Sequence, residues 1–201
     1  PFETVAHEKD IVEQAEVMLT DVNMLDKRNM QASSMSRGDK RRLEMAMCLA
    51  QNPKLLLLDE PTAGMARADT NNTIDLLKEI NEKRDITMAI IEHDMHVVFS
   101  LADRITVLAQ GVSFNIHEGE ILALLGRNGA GKTSTLRAIA RTGSPLVTQG
   151  EIWLDHQPLH QMASHEAAQL GLALVPEDRR IIQGLTVEEN LQLAQIAPPI
   201  G

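Results

Sequence analysis

A chain of 201 residues, 43% of them hydrophobic, can bury one substantial core or a core with a small subdomain, and is short for two full domains. Its net charge of −9 and pI near 5.2 leave no basic footprint for nucleic acid, and three Phe, one Trp and no Tyr give no aromatic platform for bases. The one cysteine, Cys48, excludes an internal disulfide, reads as a small buried thiol in a helical pattern, and fits a reducing, cytosolic setting.

No apolar run approaches the roughly 18 residues of a membrane span, and no secretory leader pattern opens the chain, so any membrane role is expected to come through a partner. The chain begins at Pro1 rather than Met and is expected to be a fragment or a processed product.

Residues 8–25 place Ile11, Val12, Ala15, Val17, Met18, Leu19, Val22 and Leu25 at helical spacing among acidic positions. Ser36, followed three residues on by Asp39, has the form of a capping box opening a helix that runs to Asn52, where Pro53 stops it. Capping alone accounts for both residues at this point. Leu55 to Leu58 then form a continuous apolar run suited to a central strand, with Asp59 and Glu60 at its carboxyl end, where open α/β sheets bind ligands. Adjacent strand residues point to opposite sides, which permits Asp59 to hold Mg²⁺ while Glu60 polarises an attacking water. The bland alternative is a solvated acidic strand end.

A surface helix over 69–83 leads to a buried strand over 86–91, which ends in Glu92, His93 and Asp94. A lone His after a strand is ordinarily a satisfied surface residue, but the equivalent strand-end position beside Asp59 and Glu60 suits a γ-phosphate contact. A short helix (95–101) and a strand (104–109) follow, then a seam at Gln110 and Gly111, then an alternating strand over 112–120.

The run 121–140 carries the most specific pattern. Ile121 to Leu125 reads as a buried strand and Ser134 to Ala140 as a helix. Between them Gly126, Arg127, Asn128, Gly129, Ala130, Gly131, Lys132 and Thr133 satisfy GxxxxGK[ST] at every required position. Glycines let the backbone turn its N–H groups inward at the positive end of a helix, an anion nest for phosphate oxygens. Lys132 would reach the β- and γ-phosphates, the Thr133 hydroxyl would sit on Mg²⁺, and Ser134 continues the cradle.

Beyond it, 150–154 reads as a strand, 164–170 as a short helix and 172–175 as a buried strand before Pro176 and Glu177. Thr186 and Glu189 make a second capping box, opening a helix from Val187 to about Gln195, with Pro198 and Pro199 beyond it. His156, His160 and His165 are expected at the surface rather than on a metal, because Pro158 breaks the register between the first two.

MSRGDKRRLE (35–44), LLLLDEPTAGM (55–65), IIEHD (90–94) and LLGRNGAGKTSTLRAI (124–139) together resemble the ATPase subunits of ABC transporters over nearly the whole chain. The resemblance implies an α/β P-loop NTPase of three layers with a helical signature subdomain, ATP and Mg²⁺ as cofactors, and ATP hydrolysis driving solute import. It implies that Ser36, Arg37 and Gly38 form the signature loop acting across a dimer, that Ala63 to Ala66 link the two subunits, and that His93 is the switch histidine. Glu177 falls where many members carry a glutamine, and would accept from water or metal. The implied partners are a second ABC ATPase domain, identical or not, and an integral membrane permease, at the cytoplasmic face of the membrane.

GMARADTNNT, EHDMHVVFSLADRITVLAQG and LALVPEDRRIIQGLTVEENL are similar, at a finer level, to the paired ATPases of branched-chain amino acid importers. The order of motifs departs from the family. Residues 1–110 resemble the back half of one ATPase and 111–201 the front half of another, without the opening strands that bring an adenine-stacking aromatic. A single, circularly permuted domain is expected. The alternatives are a fusion with its middle lost that binds nucleotide without hydrolysing it, and a soluble ABC ATPase outside transport.

Overall fold

Apolar runs become strands and amphipathic stretches become helices in the order α1 (Phe2–Asp21), α2 (Arg37–Leu49), β1 (Leu55–Asp59), α3 (Arg67–Arg84), β2 (Thr87–Ile91), α4 (Met95–Leu101), β3 (Arg104–Val107), β4 (Ile121–Leu125), α5 (Lys132–Ile139), β5 (Trp153–Leu154), β6 (Gln157–Pro158), α6 (Ser164–Gln169), β7 (Leu172–Val175) and α7 (Val187–Ile196). This computed structural model describes residues 2–108, 113–142, 147, 149–177 and 181–196. The expected seam at Gln110 and Gly111 lies outside the described residues, as do Pro198 and Pro199. No helix among the described residues is long and apolar enough to cross a membrane.

The chain folds as two compact units, residues 1–52 with 178–198 and residues 53–177 with 199–201. Each therefore takes chain from both sides of residues 109–112.

The helical unit buries Leu19, Leu43, Met45, Leu49 and Leu191 completely. Ser36 caps α2 by accepting from the Asp39 N–H at 3.1 Å, while the Asp39 carboxylate turns to Lys27 Nζ at 2.7 Å. Burial alone would raise the Asp39 pKa; the hydrogen bonds from Lys27 and Ser36 and the charges of Lys27 and Arg42 outweigh it and hold the carboxyl below its ordinary value. At α7 the second capping box forms in both directions: the Thr186 N–H donates to Glu189 Oε2 at 2.8 Å and the Glu189 N–H to Thr186 Oγ1 at 3.1 Å. Cys48 is half-buried rather than buried, because its place on α2 falls at the margin of the packed face.

The other unit is built on a five-stranded parallel sheet in the order β3-β4-β2-β1-β7. β4 lies between β2 and β3, and β7 lies beside β1. All five residues of β1 are buried, as a strand covered on both faces requires. Leu122 and Leu124 of β4 and Leu136 and Ile139 of α5 share one apolar cluster with Leu57 and Ile91. The register aligns Asp59 with Ile91 and Ile91 with Leu124, so the carboxyl ends of β1, β2 and β4 finish side by side.

Two expected strands differ. Residues 113–120 form no strand: Phe114 and Ile116 do pack inward, but the Asn115 carbonyl accepts from the Arg104 guanidinium rather than from a neighbouring strand. The strand expected over 150–154 shortens to Trp153–Leu154, which turns back on Gln157–Pro158 through Asp155 (φ 46°) and His156 (φ 67°), the positive-φ pair of a tight hairpin.

Candidate active site

The glycine loop runs from β4 into α5, which starts at Lys132, two residues earlier than the apolar pattern suggests, because Gly131 takes the N-cap position at φ 89°. A side chain at Gly129 or Gly131 would meet nothing within 4 Å but would hold a positive φ, so both positions leave the concave side of the loop open at the price of needing glycine. Gly126 answers a different need: a Cβ there would sit 3.1 Å from the Leu108 carbonyl and 3.2 Å from the Ala130 Cβ. Arg127, Asn128, Gly129 and Ser134 are exposed. Lys132 is buried and lies along the loop, its Nζ donating to the carbonyls of Gly126 at 2.9 Å and Arg127 at 3.3 Å.

The next residue reaches across the sheet. Thr133 Oγ1 donates to Asp59 Oδ1 at 3.2 Å, and Asp59 is 2% exposed. Burial pushes the Asp59 carboxyl above its ordinary pKa; the Thr133 hydrogen bond and Arg137 oppose this, and the charges of Glu60 and Glu177 reinforce it. A hydroxyl and a buried carboxylate converging in this way are hard oxygen donors of the kind Mg²⁺ takes, and a cation would relieve the cost of the buried charge. The donor set fits the metal.

Glu60, at the turn after β1, adopts φ 49°, unusual for a residue with a side chain. Its N–H donates to the Ile91 carbonyl at 3.0 Å, and its Oε1 meets His93 Nε2 at 2.6 Å. Both side chains remain partly open to solvent. Glu177, exposed two residues beyond β7, is near enough for its charge to act on Asp59. Thus Asp59, Glu60, His93, Lys132, Thr133 and Glu177 all belong to the carboxyl-end edge of one sheet. Ser36, Arg37 and Gly38 belong to the helical unit, where Ser36 and Arg37 are exposed and Gly38 is buried.

A family model described as ABC transporter matches residues 1–63 and 109–198, well over half of the chain and inclusive of the glycine loop, the acidic strand end and Ser36 to Gly38. The chain belongs to the ABC transporter family. Its fold is that of the family's P-loop ATPases. The branched-chain amino acid transport ATP-binding protein LivG of Salmonella typhimurium is 38% identical over 104 residues, covering 52% of this chain and 41% of that protein. BraF of Pseudomonas aeruginosa, named for the same transport, is 36% identical over the same length and shares. The ribose import ATP-binding protein RbsA of Oceanobacillus iheyensis is 25% identical over 246 residues, 94% of this chain and 49% of that protein. This ABC chain thus spans less than half the length of the curated relatives it matches. No solved structure matches.

Two residues that the sequence reading passed over hold the backbone around these groups. Glu92, read only as part of an acidic strand end, is 4% exposed and holds Thr62 through two hydrogen bonds. Asn81 of α3 donates to the Ile86 and Gly119 carbonyls, fixing the entry to β4. A polar residue on an otherwise apolar helix face is the signal that was available for Asn81.

Proposed function

We propose that this chain binds Mg-ATP at the glycine loop and hydrolyses it, and that it serves as an ATPase of a solute importer, with branched-chain or other hydrophobic amino acids as the favoured cargo. The observation that carries the hydrolytic reading is the Glu60–His93 contact at 2.6 Å, on the same sheet edge as the Thr133–Asp59 bond.

Loop N–H groups and Lys132 bind the phosphates. Thr133 and Asp59, with Glu177 in reach, would hold Mg²⁺, which would offset the charge of the phosphates. Glu60 accepts a proton from the attacking water, and its carboxylate is oriented for this by His93, which also faces the γ-phosphate. Ser36, Arg37 and Gly38 act on nucleotide held by a second ATPase domain, so turnover needs pairing of two such domains. The likeness to LivG and BraF supports the cargo, an integral permease as further partner, and a place at the cytoplasmic face of the membrane.

The interleaving of strands supports a circularly permuted ATPase in which residues 1–110 supply the back half and 111–201 the front half. One observation favours a second reading, binding without turnover. The alignment with the ribose importer is longer than this chain, so that relative carries residues within the matched span that this chain lacks.

Mg-ATP hydrolysis by the 201-residue chain, measured over a range of protein concentrations with Lys132→Ala as the blank, separates the readings. A rate per chain that rises with concentration supports the paired ATPase. Nucleotide-dependent thermal stabilisation with no phosphate release above the blank supports the second reading.

A further inference from the structure

The ends of β1 and β2 carry the two groups assigned to hydrolysis, and a third, buried group joins them. Glu92 directly follows β2 and is 4% exposed. Its Oε1 accepts from the Thr62 N–H at 2.9 Å and from Thr62 Oγ1 at 2.6 Å, while its Oε2 accepts from the His93 N–H at 3.2 Å. A carboxylate so buried is stable only when its oxygens are satisfied, and the donors it has found lie two residues after Glu60 and at His93 itself.

Glu60 needs such support. Its φ of 49° is a strained conformation for a residue with a Cβ and persists only where the surroundings fix it. The Ala63 N–H closes the turn on the Glu60 carbonyl at 3.1 Å, and Glu92 grips Thr62 inside that turn. We infer that Glu92 is a positioning residue, which through Thr62 and the His93 backbone sets the Glu60 carboxylate against the His93 ring. Its carboxylate oxygens are taken up by Thr62 and the His93 N–H. Removing it should leave nucleotide binding in place and disturb only the alignment of the pair. This rests on the reading of Glu60 and His93 as the hydrolytic pair, but the linkage itself is a property of the folded chain and is readable without turnover.

The test uses Glu92→Gln, Thr62→Val and Thr62→Ser, with two readouts. In steady-state assays of the 201-residue chain, Glu92→Gln and Thr62→Val are expected to lower kcat by on the order of 10–10²-fold, with the Kd for Mg-ATP within about threefold of wild type. Thr62→Ser, which keeps the hydroxyl donor, should restore kcat. The second readout is the NMR resonance of the His93 ring, which Glu60→Gln should shift in the wild-type background and leave unmoved in the Glu92→Gln and Thr62→Val backgrounds. Where the wild-type chain turns over, an unchanged kcat in both variants overturns the inference, and in any case so does a Glu60→Gln shift of the His93 ring that persists in their backgrounds. Loss of that shift in a chain that never hydrolyses ATP upholds the positioning role and removes the ATPase reading instead.

Discussion

Thr133 Oγ1 stands 3.2 Å from Asp59 Oδ1, tying the first turn of α5 to the end of β1 across 74 residues of chain. The bond only partly offsets the cost of burying the carboxylate, since the folded environment still raises the Asp59 pKa, chiefly by burial. A carboxyl whose folded-state value exceeds its unfolded value binds its proton more tightly in the folded chain. The stability contributed by that proton is fully present below the unfolded value and is lost as pH rises through the folded one. Asp59→Asn keeps an acceptor for Thr133 and removes the buried charge. It is expected to raise the urea midpoint at pH 7, to lose that advantage as pH falls to about 4, and to abolish the Mg²⁺ dependence of nucleotide binding. Parallel urea titrations at the two pH values check the first part, and a lower midpoint at pH 7 would contradict it.

Glu60→Gln separates binding from chemistry. The amide occupies the same volume beside His93 but cannot take a proton from water. Turnover should fall by about 10²–10⁴-fold, the usual size of a general-base contribution, while equilibrium binding of Mg-ATP stays within a few fold of wild type. Phosphate release and equilibrium dialysis on the same preparation decide it; undiminished release would reassign the role of Glu60.

What could be read from the sequence was whatever depends on neighbours along the chain. β4 and β7 occupy the residues that their apolar runs specify, α4 fills 95–101, and the Thr186–Glu189 capping box forms because both partners lie within one turn. The glycine loop was legible for the same reason: strand, loop and helix are contiguous. What could not be read depends on distant partners. A Glu92 after a strand reads as solvated, and it takes Thr62, 30 residues back, together with the neighbouring His93 N–H, to make its burial tolerable. The alternation of 113–117 reads as a strand, and only Arg104 shows why its backbone is otherwise engaged. Asp39 reads as the acid of a capping box, and only Lys27, in a short turn with no periodic signal, shows where its carboxylate goes.

Asn190 belongs to the second class and is a test of it. Fully buried on α7, it donates to the Ile182 carbonyl at 3.0 Å and the Thr186 carbonyl at 2.9 Å and accepts from the Ile182 N–H at 2.8 Å. Both carbonyls have other donors, at Leu185 and at the Asn190 N–H, so the Ile182 N–H is the group left stranded by truncation. Asn190→Ala is expected to destabilise the chain by about 1–3 kcal/mol, the cost of the three hydrogen bonds lost from a fully buried side chain. Chemical denaturation at neutral pH measures this. A change below about 0.5 kcal/mol, the range of neutral surface substitutions, would mean that residues 182–186 re-satisfy themselves.

The sheet order makes a prediction about the whole chain. β4, from beyond residues 109–112, pairs with β2 on one side and β3 on the other, and β7 pairs with β1. Without β4 the strand β3 loses its partner, and without β1, β2 and β3 the strands β4 and β7 lose every partner they have in the five-stranded sheet. The helical unit repeats the dependence, since α7 packs with α1 and α2. Neither side of the seam can bury its own apolar faces, and unpaired strand edges are open to association. A protease site placed within 109–112 and then cut should therefore give two pieces that co-elute as one folded species and separate only in denaturant. Expressed singly, each piece should lack a cooperative unfolding transition. Two halves that part after cleavage and each melt cooperatively would show that the chain carries two independent folding units divided at the seam, and would remove the permuted-domain reading with it.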